Sequence, residues 1–304
     1  SFPAMMKRNL MKGSVIPRYS GLPTVLKENG YYNLFFMTHE GQYDNMNAFF
    51  RTNGYDEVFS QENYPADKVV NSFGVQDDFL YDYAIPVLNQ RAATGEPFFA
   101  TLLSISNHPP YVIPPFFHPK TSEPETQIVE YADWALRKFF EEARKQPWFD
   151  NTIFVLEGDH GKLVGDAECE LPESYNHIPL MIYSSRIHPE EKNTFGGQVD
   201  IQPTILGLLN IDYLQNNFGV DLLKEERPCM FYTADNMIVG RNDTLLYLYN
   251  YETQQEFTYH IDNGKLKAVP MDDRFLPLKE YSFSMLQSAE FLVCLLYTSD
   301  AADE

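Results

Sequence analysis

This chain of 304 residues has little positive charge, few cysteines and no long apolar run, and each shortage excludes something. Lysine and arginine number 23 against 43 aspartates and glutamates, a formal net charge of -20 at pH 7. So acidic a surface repels a nucleic-acid backbone, and no basic patch offsets it, so nucleic acid is excluded as a partner. The acidity itself reads first as solubility. No stretch reaches the roughly 20 apolar residues needed to cross a bilayer, and no basic-then-apolar segment opens the chain. The three cysteines, Cys169, Cys229 and Cys294, lack metal-type spacing and leave at least one unpaired. Repeats and low-complexity segments are also missing. What is present is 44% hydrophobic and 15% aromatic residues, enough to bury a large core in one big domain or two smaller ones.

The first half alternates strand-like and helix-like segments. A short helix is expected around Pro23 to Glu28, a strand over Tyr31 to Met37, and a second, buried strand over Pro97 to Ser104. Glu125 to Gln146 is the clearest helix, with Ile128, Ala132, Ala135, Leu136, Phe139, Phe140 and Ala143 on one face. It feeds the run Ile153 to Leu156, and that succession predicts a βαβ unit closing a parallel sheet. Ile178 to Tyr183 reads as a further strand, and Asp200 to Leu209 as a helix with Pro203 in its first turn. Beyond about Pro228, Tyr/Thr/Leu-rich runs with turns at Arg241-Asn242-Asp243 and Asp262-Asn263-Gly264 predict antiparallel hairpins. The expected fold class is therefore α/β, a mostly parallel sheet flanked by helices, with a smaller C-terminal antiparallel β part.

The most informative stretch is Ile153-Phe-Val-Leu-Glu-Gly-Asp-His-Gly161, an apolar run that stops at a carboxylate, an imidazole and a glycine. Read as a central parallel strand, it places Asp159 and His160 at the carboxyl end of a sheet, where α/β proteins gather ligands. One hard oxygen and one borderline nitrogen suit Zn²⁺ or Mn²⁺ better than Ca²⁺. The flanking glycines would let the backbone approach a metal or a phosphate. The same tripeptide also fits a plain turn, with Asp159 as a helix cap. Two other strands end in polar loops, one carrying His39, Glu40 and Gln42, the other Asn107 and His108, and His177 precedes a further strand. His108 before two prolines also fits a turn-shaper, and His177 a satisfied core histidine. Asp200 reads as an N-cap, Asp77-Asp78 and Glu141-Glu142 as solvated faces, and the tyrosines and phenylalanines as core and sheet residues first.

Leu156-Glu-Gly-Asp-His-Gly161, Ser106-Asn-His-Pro-Pro-Tyr111 and Gly197-Gln-Val-Asp-Ile-Gln-Pro-Thr-Ile-Leu206, followed by Gly219-Val-Asp-Leu222, stand in an order that resembles the extracellular domain of the lipoteichoic acid synthases. Those are phosphoglycerol transferases of the sulfatase and alkaline phosphatase superfamily, and the resemblance covers roughly Gly21 to Leu223. It implies Asp159 and His160 as metal ligands, and His108, Glu40 and Asn45 as substrate contacts, with His177 added by its likeness to a histidine of the related phosphoethanolamine transferases. The ion would be Mn²⁺ or Zn²⁺, with Mg²⁺ or Ca²⁺ second. It further implies phosphotransfer or phosphodiester hydrolysis on lipid head groups or surface glycans through a covalent phospho-enzyme. A sulfatase proper, or a binding module without a nucleophile, stays open as an alternative.

The resemblance implies a Thr nucleophile and a metal-binding Glu upstream of Ser1, so no catalytic nucleophile is assigned within the chain and the fragment alone is expected to be inactive. Ser1-Phe-Pro-Ala-Met5 echoes a sulfatase motif but has Met5 where an Arg is required. The chain opens without an initiator Met, so an upstream portion is expected, and the resemblance implies transmembrane helices there, making this the extracytoplasmic part of a bacterial membrane protein. The expected organisation is a catalytic domain over 1–225 lacking its first strand, a β-rich subdomain over 226–292, and an appended tail over 293–304. Oligomeric state is left open.

Overall fold

The computed structural model describes residues 11–12, 16, 18–163 and 165–300, with side chains through 294. Ser1 to Met5 and residues 301–304 of the tail lie outside the described residues. Strand β1 (Tyr32–Met37) is buried along all but its first residue, because parallel neighbours lie on both sides. These are β2 (Glu57–Phe59) and β3 (Phe98–Leu103), giving the order β2-β1-β3 with Leu34 opposite both Glu57 and Ala100. One face of β1 packs Phe35 and Met37 on Met46, Tyr55 and Val58, with Phe35 and Phe50 stacked at 4.0 Å. Continuous apolar sequence is what a strand covered on both faces requires. β3, expected to be buried, is half-buried throughout.

Four helices complete this part: α1 (Leu22–Glu28), α2 (Met46–Thr52), α3 (Asp77–Ala92) and α4 (Pro124–Ala143). Asn33, fully buried within β1, ties the layers together. Its Nδ2 donates to the carbonyls of Pro23 and Gly54 at 2.6 and 2.8 Å, and its N–H reaches Asp56 Oδ2 at 2.8 Å. α3 carries Pro86 inside the helix, yet Leu80, Tyr81, Ala84, Ile85 and Leu88 form a buried stripe at helical spacing. Asp77 lies on that same stripe and is buried. α4 presents Ile128, Tyr131, Ala135, Phe139 and Ala143 in the same manner.

The described residues divide into two compact units, one from 11–152 with 184–186, the other from 153–183 and 187 onward. Strand β4 (Phe154–Glu157), expected as a central parallel strand closing a βαβ unit, instead pairs antiparallel with β5 (Leu180–Tyr183), Phe154 opposite Tyr183, in a separate two-stranded sheet. Alternation of helix and strand predicts that a strand forms, but which sheet it joins depends on which backbone groups need partners. Here those of β4 are met by β5.

Helix α5 (Ile201–Leu208) follows, and then five strands, β6 (Met230–Ala234), β7 (Met237–Arg241), β8 (Leu245–Asn250), β9 (Gln255–Asp262) and β10 (Lys265–Ala268), form an antiparallel meander. Helix α6 (Leu276–Asp300) lies on one face of it, so residues 293–300, read as tail, belong to its backbone, and Val293 is fully buried. Gly240 explains how closely α6 packs: a Cβ there would lie 2.5 Å from Ser282 Oγ and 2.9 Å from the Leu278 carbonyl. The other face buries Met237, Val239, Leu246, Leu248, Tyr259 and Ile261 against Leu171.

Candidate active site

The loop after β4 is built by backbone bonds and leaves its side chains open. Gln198 Nε2 donates to the carbonyls of Gly158 and Asp159 at 3.1 and 2.9 Å. Gly161 N–H donates to the Tyr175 carbonyl at 2.8 Å, and a Cβ on Gly161 would stand 2.0 Å from the Ser174 carbonyl. Chain packing by itself therefore requires that glycine, whatever approaches the loop from outside. The bond from Gly161 ties the Asp159-His160 loop to the turn Glu173–Tyr175, which leads into His177, whose N–H donates to Glu173 O at 2.8 Å. Arg241 of β7 pairs with Glu173 and holds this turn from behind.

Asp159 and His160 are 72% and 68% exposed, with Oδ2 and Nε2 3.6 Å apart. His160 Nδ1 lies 2.8 Å from the Gly161 carbonyl, so as an N–H donor it leaves Nε2 with its lone pair facing outward. Asp159 Oδ1 accepts from His160 N–H at 2.9 Å and leaves Oδ2 open. Among the described residues no group of three or more His, Cys, Asp or Glu side chains is gathered for a metal, so the pair offers two donors. The donor chemistry fits a divalent ion: one carboxylate oxygen, one imidazole nitrogen held in the ligating tautomer, and open space. Glu157, at the exposed end of β4, has its carboxyl pushed up by desolvation and by the charge of Asp159. His177 is exposed, which removes the core-histidine alternative.

Asp200, read as an N-cap, does other work. No side-chain cap bond forms at α5. The carboxylate is fully buried and accepts from Gly197 N–H at 2.9 Å, Val220 N–H at 2.8 Å and the Arg227 guanidinium through Nε and a terminal nitrogen. It fixes the turn Gln198–Asp200, and so the glutamine that holds the Asp159 loop.

Glu40, Asn45 and His108 belong to the other unit. Glu40 is exposed; next to it Gly41 N–H donates to both oxygens of Glu62 at 3.2 Å. Asn45 takes a left-handed conformation, φ 61°, and its Nδ2 donates to the Met11 carbonyl at 3.2 Å. His108 is half-buried, its Nδ1 2.7 Å from the Pro109 carbonyl and its ring 4.3 Å from that of Phe73. The loop before it is held by Asp77, which is buried at the start of α3 and so corrects its reading as a solvated face. Asp77 Oδ1 accepts from the N–H groups of Ile105 and Ser106, both at 3.0 Å, while its own N–H donates to Ser106 Oγ at 3.1 Å. Burial pushes the Asp77 carboxyl up against these N–H bonds, which pull the other way. Gly74, at φ 89°, brings Phe73 under His108 and packs on the end of β1, where a Cβ would fall 1.7 Å from the Thr38 carbonyl. Sequence reasoning missed Asp77, Gly74 and Gln198; for Asp77 the helical stripe of α3 was the available signal.

Comparison with known proteins sets these residues in context. The Sulfatase family profile matches residues 3–211, more than half of the chain. The chain belongs to the sulfatase family. Among curated relatives, lipoteichoic acid synthase 1 of Bacillus subtilis is 26% identical over 274 residues, covering 82% of this chain and 41% of that protein. The lipoteichoic acid synthase of Staphylococcus aureus (strain USA300) is 24% identical over 242 residues, covering 68% and 35%. The chain thus spans less than half the length of these relatives. Among solved structures, an alkaline phosphatase superfamily protein from Vibrio parahaemolyticus superposes with a TM-score of 0.83 at 27% identity, covering 95% of this chain and 73% of that one. The lipoteichoic acid synthase LtaP of Listeria monocytogenes gives 0.77 at 22% identity, covering 91% and 73%, a likeness of fold. This sulfatase-family chain therefore has the alkaline phosphatase superfamily fold, and the resemblance to lipoteichoic acid synthases holds. The same relatives bear out the α/β class with an antiparallel C-terminal part.

Proposed function

We propose that this sulfatase-family chain holds the metal and the head group for a phosphoglycerol-type transferase or phosphodiester hydrolase. Its substrates would be lipid head groups or surface glycans outside the bacterial cytoplasm. The observation that carries this reading is the exposed Asp159-His160 pair, with Nδ1 turned onto the Gly161 carbonyl and Nε2 outward. The kinship with proteins named lipoteichoic acid synthases supports the transferase class.

Asp159 Oδ2 and His160 Nε2 would hold the ion, Mn²⁺ or Zn²⁺, by the match between these donors and borderline cations. When bound, such an ion neutralises phosphodiester oxygens and acidifies a hydroxyl nucleophile. The protein's own contribution is to hold the geometry. Gln198 pins the two loop carbonyls, so the ligating side chains start from a fixed backbone. His177 in one unit and His108 in the other would each offer an imidazole able to bind an anionic group or to pass a proton to a leaving oxygen. Glu40 and Asn45 would accept from and donate to the head group's polar end. No described residue is assigned as nucleophile.

Titrating Mn²⁺ into the chain by calorimetry tests the metal assignment. Asp159→Asn and His160→Ala should each weaken binding at least about tenfold; unchanged binding in both refutes it. In the full-length protein, turnover of a phosphodiester with none of an aryl sulfate supports the reaction class. The reverse preference moves the reading to a sulfatase proper.

A further inference from the structure

The segment from His108 to Lys120 holds five prolines, so it can neither coil as a helix nor join a sheet interior. It is nevertheless pinned. Gln76 Nε2 donates to the Val112 carbonyl at 2.6 Å, and Phe117 N–H to the Pro114 carbonyl at 2.9 Å. Glu130 on α4 accepts from the N–H groups of Lys120 and Thr121, both at 2.8 Å. Pro114 is buried, whereas Pro115 and Phe116 project, Phe116 being 57% exposed.

Behind Phe116 stands a ring platform. Trp134 lies 5.7 Å from both Phe116 and Phe117 and stacks on Tyr131 at 5.9 Å. Lys138 Nζ sits 5.7 Å from the Trp134 ring while pairing with Asp82. A phenylalanine held out by a rigid turn, backed by tryptophan and lysine, has the composition that partitions to a membrane–water interface. Charge agrees. From Pro97 to Ser122 the sequence has no Asp or Glu, in a chain with 43 of them, and His118 and Lys120 flank the tip. The acidity that repels anionic surfaces elsewhere is reduced here: the segment itself carries no carboxylate, and Glu130 on α4 is turned onto the loop's own N–H groups.

We propose that the Pro114-Phe117 turn, backed by Trp134, is a lipid-surface contact that seats Phe116 at the head-group–acyl boundary of a phospholipid bilayer. It rests on the aromatic turn and its charge, not on the metal pair, so a failed metal titration leaves it standing.

The chain has two tryptophans, and Trp148 is buried, so Trp134 reports on this turn. The 304-residue chain is mixed with phosphatidylglycerol–phosphatidylcholine vesicles whose acyl chains are brominated. Quenching of Trp134 and co-sedimentation are expected. Phe116→Asp should weaken vesicle binding about tenfold, the worth of burying one phenylalanine, with Phe116→Leu retaining most of it and circular dichroism unchanged in both. No quenching in the wild type, or equal binding by Phe116→Asp, overturns the proposal. So does the same Trp134 response to glycerol phosphate or a soluble glycan without vesicles, which marks a soluble ligand instead.

Discussion

Two buried carboxylates organise the two candidate loops, and they do so by opposite means. Asp77 is met by neutral donors, the backbone N–H groups of Ile105 and Ser106 and the Ser106 hydroxyl. Asp200 is met by a guanidinium: Arg227, itself only 9% exposed, bonds it through two nitrogens. A carboxylate among neutral donors bears its desolvation cost alone, and its pKa rises; one paired with a buried cation is bound to that partner's charge. The first arrangement needs only a hydrogen-bond acceptor. The second needs the charge.

The sharpest way to break the comparison is Asp200→Asn. The amide preserves shape but leaves Arg227 buried without its counter-charge, and a loss of about 3–5 kcal/mol is expected. A chemical-denaturation midpoint checks it; a loss as small as that of the same change at Asp77 would erase the distinction. Next is Asp77→Ala, which strands two N–H groups and should cost about 1–3 kcal/mol. It should also loosen the segment 105–108, seen as faster amide exchange at Ile105 and Ser106. The smallest effect is expected from Asp77→Asn, because one amide oxygen can serve both N–H groups.

The pH dependence sharpens the same point. The folded carboxyl of Asp77 titrates above its unfolded value. The stability gained from its protonated form is therefore full below about pH 4 and is lost as pH rises through the folded value. Asp77→Asn should remove that decline and match or exceed the wild type at pH 7. An Asn variant less stable than the wild type at pH 7, by a margin that grows as the pH rises, would show that the ionised carboxylate is what the loop needs.

Much of the architecture was legible along the chain. The helix α4, the strand β1 and the hairpin turn at Asn263-Gly264 are local signals, set by periodicity or by the φ preference of single residues. The Asp159-His160 pair was legible for the same reason, as an abrupt change from apolar to ligating residues. The turn at Asp235-Asn236, both at positive φ, carried a similar signal but a weaker one without glycine. The partner of β4 was not legible, since a short apolar strand states its own conformation but not its neighbour. Asp77 and Asp200 were misread because an acid near a helix start looks alike whether it faces water or a buried N–H group.

The sequence by itself determined the family, the order of most elements and the choice of Asp159-His160 as the candidate pair, because these depend on neighbouring residues or on motifs kept in order. Only the tertiary structure decided which carboxylates are buried, that Gln198 and Ser174 frame the Asp159 loop, and that Phe73 and Gly74 link His108 to the end of β1. Those contacts join residues from about a dozen to nearly forty positions apart. Their energy comes from desolvation and close packing, quantities that exist only once the chain has closed on itself.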